Sequence, residues 1–343
     1  MVFSTLLILG LAQASLEVSK DCPKYDCAQD ASEFPFPSSC LQQLGNTYYA
    51  RPCKYGYICN AIERTEANCT YPVYQHHQKL AGEKCTYDSD CTDNNYCVDK
   101  KCKGLGLNKT CAFNGDCDAG LFCFNDLCKK QLKAGEVGCL EDADCENDSG
   151  CELNSETNRN DNLCRKYFSV EDYGALEGCK KQGQVNYICK SGFCALIGEE
   201  SQCYPAPVSN GTLPIKCNAT CTSGLTGEDK QVFNSSCTCG YNKKGQSYCG
   251  LFPGDKEFKK YSSMVKDWVD SEHGLKCNTQ SRFGENCMRT YWDDDKVDEM
   301  IYKYFYATHY ALLNDIEECV EKVYFPKLYP DLYPGLKGQS PVS

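Results

Sequence analysis

The sequence predicts small disulfide-rich modules, built of short β-hairpins and loops in tandem, followed by a C-terminal α-helical module. Three observations carry this reading. The chain holds thirty cysteines in 343 residues, a cysteine spacing repeats from Cys85 onward, and helical periodicity first appears after Gly254.

The first residues, Val2 to Leu11, form an apolar run followed by Ala12-Gln13-Ala14, so residues 1–14 read as a signal peptide with a small-residue cleavage site. An uncleaved anchor is the rival reading, but the run is shorter than the ~20 residues a membrane span needs. No later stretch reads as a transmembrane segment, and the C-terminal residues lack the apolar tail of a lipid-anchor signal. In an oxidising compartment an even, dense set of cysteines describes a disulfide framework. The competing use is metal binding, but no C-x-x-C pair occurs. Six N-x-S/T sequons, at Asn68, Asn108, Asn147, Asn210, Asn218 and Asn234, predict N-linked glycans and point to the same secretory route. The net charge of -11 argues against a nucleic-acid partner and fits a solvated acidic surface.

Residues 15–80 form an N-terminal cysteine-rich module, with Cys22, Cys27, Cys40, Cys53, Cys59 and Cys69 an even set able to close on itself. Residues 81–165 hold the repeats. Cys85, Cys91, Cys97 and Cys102 follow C-x5-C-x5-C-x4-C, and so do Cys111, Cys117, Cys123 and Cys128. Asp90 and Asp116 precede the second cysteine, and Tyr96 and Phe122 precede the third. A third copy, Cys139, Cys145, Cys151 and Cys164, stretches its last spacing around an Asn-rich loop, Asn154 to Asn162. Only eight Leu, Ile, Val or Phe occur between Gly82 and Lys130, so crosslinks must replace the missing core. Each bridge typically adds about 2–4 kcal/mol by restricting the unfolded chain.

Residues 166–253 form a second cysteine-rich region whose last five cysteines are odd in number, as are the final three, Cys277, Cys287 and Cys319. Internal pairing then predicts at least one bridge between these two sets. The helical module spans 254–330, ahead of a tail at 331–343. Phe258, Tyr261, Val265 and Trp268 mark one face of a helix starting near Asp255. Asp293-Asp294-Asp295 should cap a second helix whose stripe runs from Val297 to Val323, with Pro326 as its stop. Unbroken, that helix would be roughly 40–45 Å long.

No pattern points to catalysis or to a cofactor. The four histidines include His76-His77 in a polar linker, His273 after a helix end and His309 within a helix, and no H-E-x-x-H, G-x-S-x-G or P-loop spacing occurs. Asp88/Asp90 and Asp142/Asp144 could hold calcium, yet they lack the D-x-[DN]-x-[DN]-G loop. Turn-forming carboxylates that accept backbone N–H bonds explain them more economically. Tyr302, Tyr304, Tyr306 and Tyr310 crowd the second helix, and tyrosine is enriched at interfaces. Tyr302, Tyr306 and Tyr310 are therefore the candidate interaction residues, against the reading that they only pack this helix on the first.

The paired C-x4-D-C-x4-[YF]-C-x4-C motifs resemble the Dickkopf N-terminal cysteine-rich domain, and the chain is similar to secreted Dickkopf-like proteins of the kind found in ciliated protozoa. The resemblance covers residues 80–165 and does not include the second cysteine-rich domain through which Dickkopf proteins antagonise Wnt signalling. The expected function is that of a secreted extracellular structural or surface-coat protein that acts by protein–protein contacts, assembling with copies of itself or with another extracellular protein. A soluble ligand or antagonist of a receptor, and a protease inhibitor, are the alternatives.

Overall fold

The structure is a computed structural model that describes residues 22–28, 34, 36–61, 64–71, 79–154, 158–179, 183–228 and 230–328. The predicted signal peptide, His76-His77 and the tail at 331–343 lie outside the described residues. Many short antiparallel strand pairs, fifteen disulfides and a few C-terminal helices make up the chain, in the order expected.

The repeat unit is a hairpin whose two strands carry the third and fourth cysteines of a set. In the Cys85–Cys102 unit Cys97 faces Cys102 across the hairpin, and the bridges run Cys85–Cys97 and Cys91–Cys102, first to third and second to fourth. Cys111–Cys123 with Cys117–Cys128, and Cys139–Cys151 with Cys145–Cys164, follow the same order. Backbone hydrogen bonds seal each unit: Cys102 N–H donates to Glu83 O, Cys128 N–H to Lys109 O and Cys164 N–H to Glu136 O.

Three further cysteine sets, irregular in sequence, build the same unit. Cys40–Cys59 with Cys53–Cys69, Cys179–Cys194 with Cys189–Cys203, and Cys217–Cys237 with Cys221–Cys249 all pair first to third and second to fourth. In each the last two cysteines face one another across a hairpin: Cys59 and Cys69, Cys194 and Cys203, Cys237 and Cys249. The sealing bond recurs as well, from Cys69 N–H to Ser38 O, Cys203 N–H to Gly174 O and Cys249 N–H to Ile215 O. The chain is thus a run of six repeats, where the cysteine spacing alone discloses three.

The predicted bridge between the second cysteine-rich region and the final three cysteines does not form. Cys277 pairs with Cys287, while the two odd cysteines, Cys239 and Cys319, both reach the N-terminal module through Cys22–Cys239 and Cys27–Cys319. That module therefore does not close on itself. Its sheet runs β1-β3-β2-β5-β4, from β1 (Lys24–Cys27), β2 (Ser39–Leu44), β3 (Thr47–Ala50), β4 (Ile58–Cys59) and β5 (Glu66–Thr70). Its core joins Tyr25, Leu41 and Ala50 to Val320 and Val323 from the C-terminal end of the chain.

The helical module begins with α1 (Lys256–Asp270), whose Val265 and Trp268 face α2 (Glu285–Tyr291) and α3 (Asp294–Thr308) through Met288, Val297 and Met300. Asp293 caps α3 as expected, its carboxylate accepting from Lys296 N–H at 2.8 Å. The predicted long helix is broken. It stops at Thr308, resumes as α4 (Tyr310–Leu313), and after Asp315 at φ +56° starts again as α5 (Glu318–Tyr324). Tertiary bonds hold the break: Asp315 accepts from Tyr248 Oη at 2.8 Å, Ile316 pairs with Asn242, and Cys319 is bridged to Cys27. These contacts outweigh the helical preference of an apolar stripe.

Candidate interaction surface

All twelve cysteines predicted to bridge between Cys85 and Cys164 are in disulfides, and the chain has no free cysteine. The acidic residues of the repeats serve their turns. Asp90 Oδ2 accepts from Thr86 N–H at 2.7 Å, Asp116 Oδ2 from Ala112 N–H at 2.7 Å and Asp144 Oδ2 from Leu140 N–H at 2.7 Å. The side chain three residues before the second cysteine secures the third cysteine, with Cys97 N–H donating to Asp88, Cys123 N–H to Asn114 and Cys151 N–H to Asp142. Those side-chain oxygens point at backbone donors, and Asp144 is also engaged by Arg159.

Five of the six sequon asparagines, Asn68, Asn108, Asn210, Asn218 and Asn234, are exposed. Asn147 is the exception at 3% exposure. Its Nδ2 donates to Gly274 O at 2.8 Å and Cys277 O at 2.9 Å, and its Oδ1 accepts from Gln131 Nε2 at 3.0 Å. A glycan on that nitrogen is incompatible with this packing, so Asn147 leaves the set of candidate glycosylation sites. It belongs to a seam between the repeats and the segment leading into α2. There Asn278 Nδ2 donates to Asn114 O and Cys117 O, both at 2.8 Å, and Arg282 Nη1 to Asp142 O at 2.9 Å. Gly82 sits in the same seam, where a Cβ would overlap the Lys276 carbonyl.

The three tyrosines divide. Tyr302 is 46% exposed, and its ring stacks on that of Tyr306 at 6.0 Å. Tyr306 is half-buried, and Tyr310, at 6% exposure, packs with Leu251, Phe258 and Ala307. Burial pushes the Tyr310 phenol up to about 12. Tyr310 is therefore core, and only the Tyr302–Tyr306 pair is available to a partner. Tyr304 faces inward, edge-on to Tyr261 at 5.4 Å. A second exposed aromatic group, Phe36, Tyr55, Tyr57 and Tyr71, lies on the N-terminal module, with Tyr57 and Tyr71 edge-to-face at 5.7 Å. No periodicity marks these four in the sequence, because they sit in the turns and loops that flank short strands.

No helix among the described residues is long and apolar enough to cross a membrane. The disulfide density fits a secreted or extracellular protein. Compared with known proteins, the chain matches no family model, no curated protein and no solved structure.

Proposed function

We propose that this is a secreted extracellular structural protein that acts by protein–protein contact rather than catalysis and assembles with copies of itself. The observation that carries the reading is one disulfide hairpin repeated six times, fastened to a helical module that displays exposed aromatic side chains. Such a chain resists unfolding without a large apolar core, and its exposed tyrosines offer broad apolar faces with polar tips. Glycans at Asn68, Asn108, Asn210, Asn218 and Asn234 would cover other parts of the surface. The likeness of residues 80–165 to the Dickkopf family supports an extracellular binding role and brings no Wnt antagonism with it.

Sedimentation of the purified protein tests the reading. Assembly predicts species much larger than the 38.4 kDa chain, and Tyr302→Ser with Tyr306→Ser should reduce them while secretion and bridge formation persist. A wild-type protein that stays a single chain at every concentration would leave the soluble-ligand reading in its place.

A further inference from the structure

Lys101, Lys276 and Lys296 come from three separate elements: the Lys101–Lys103 strand of the second repeat, the Gly274–Lys276 turn and the first turn of α3. They meet on one aromatic platform. Lys101 Nζ lies 4.3 Å from the Tyr291 ring centre and donates to Tyr291 Oη at 3.2 Å. Lys276 Nζ is 5.6 Å from the same ring, and Lys296 Nζ is 3.8 Å from the Trp292 ring. His273 stacks on Tyr291 at 5.3 Å, and Trp268 lies against both His273 and Trp292. Trp268 is buried, and its Nε1 donates to Arg282 O at 2.6 Å, so the rings beneath the lysines are fixed.

Among the described residues none of these three ammonium groups has a carboxylate within ion-pair distance. Of the acids around Lys296, Asp293 caps α3 and Asp294 pairs with Arg289. Lys84, opposite Lys101 across a β-bridge, adds a fourth positive charge to this face. Burial, and then Lys276, Lys296 and Lys101, hold the His273 imidazole below its ordinary value, so the three charges act in one place. In a chain of net charge -11 this is a local reversal of sign.

We propose that Lys101, Lys276 and Lys296, held on the Tyr291–Trp292 platform, form a binding site for a multivalent oxyanion of the sulfate or phosphate type. A ring engages one side of an ammonium group and leaves its other N–H donors directed outward. One carboxylate would satisfy a single lysine, whereas an anion with several oxygens, or a chain carrying several such groups, answers all three.

Titration of the full-length protein with inorganic sulfate, and separately with dextran sulfate, tests the proposal by calorimetry and by proton NMR of His273, one of only four histidines. Binding should saturate and weaken with ionic strength, and the bound anion should raise the pH at which His273 titrates. Lys101→Gln with Lys276→Gln should weaken binding about tenfold or more, while Lys190→Gln, which removes an exposed lysine paired with Glu171, should leave it unchanged. Saturation by inorganic sulfate assigns the site to free ions, and saturation by dextran sulfate alone assigns it to a polyanionic chain; either supports it. Lys296→Gln serves as the variant if the double change impairs folding. Absence of binding by both probes, or equal binding by the lysine variants, would overturn the proposal.

Discussion

Glu83 has almost no access to water, 3% exposed, where the second repeat meets the segment before α2. Burial pushes its carboxyl up to about 7, against the hydrogen bonds from Ser281 and Leu80 N–H and the charge of Lys79. A raised value means that the folded protein holds this proton more tightly than the unfolded chain does. The stabilisation is complete below about pH 4.5 and is lost as the pH rises through 7, amounting to roughly 3 kcal/mol. Urea unfolding of wild type and Glu83→Gln between pH 4.5 and 8 isolates the effect, because the histidines titrate in both; the variant should lack this decline. At Asn147 the sequon was legible but its surroundings were not, since the carbonyls that enclose the amide belong to Gly274 and Cys277, far along the chain. Glycopeptide mapping should find Asn108 occupied and Asn147 bare. Asn147→Ala should cost about 1–3 kcal/mol by leaving buried acceptors without a donor.

At the level of elements, periodicity located α1 and the start of α3 but could not foresee that α3 ends at Thr308. The apolar stripe continues through Leu312 and Val323, while the bonds that break the helix come from Tyr248, Asn242 and Cys27. The break turns Tyr310 into the core and leaves Tyr302 outside. Thermal unfolding should separate them: Tyr310→Ser should destabilise by about 3–5 kcal/mol, whereas Tyr302→Ser should stay within about 0.5 kcal/mol. The repeats were legible where the first two spacings are regular, from Cys85 to Cys164. They were hidden where the first loop shrinks to Cys217–Cys221 or lengthens to Cys40–Cys53. Loop closure depends only weakly on length, so the hairpin and its crossed bridges tolerate insertions that erase the pattern.

For the whole molecule, the N-terminal module is fastened to distant parts of the chain by Cys22–Cys239 and Cys27–Cys319, with sequence separations of 217 and 292. Counting odd and even cysteines showed that the later regions could not each close alone. It could not show that both leftover cysteines turn back to the N-terminus, because parity carries no geometry. The packing of Val320 and Val323 against Leu41 and Ala50 supplies that geometry by bringing α5 onto the first sheet. Long loops of this kind gain most from closure, so these two bridges should contribute at the upper end of ~2–5 kcal/mol each. Peptide mapping of the native protein without reduction is the most direct test of this architecture. It should recover Cys22–Cys239 and Cys27–Cys319, together with first-to-third and second-to-fourth pairs in all six repeats and no alkylated thiol. A Cys22–Cys27 peptide, or bridges that join Cys179 to Cys189 or Cys217 to Cys221, would contradict it.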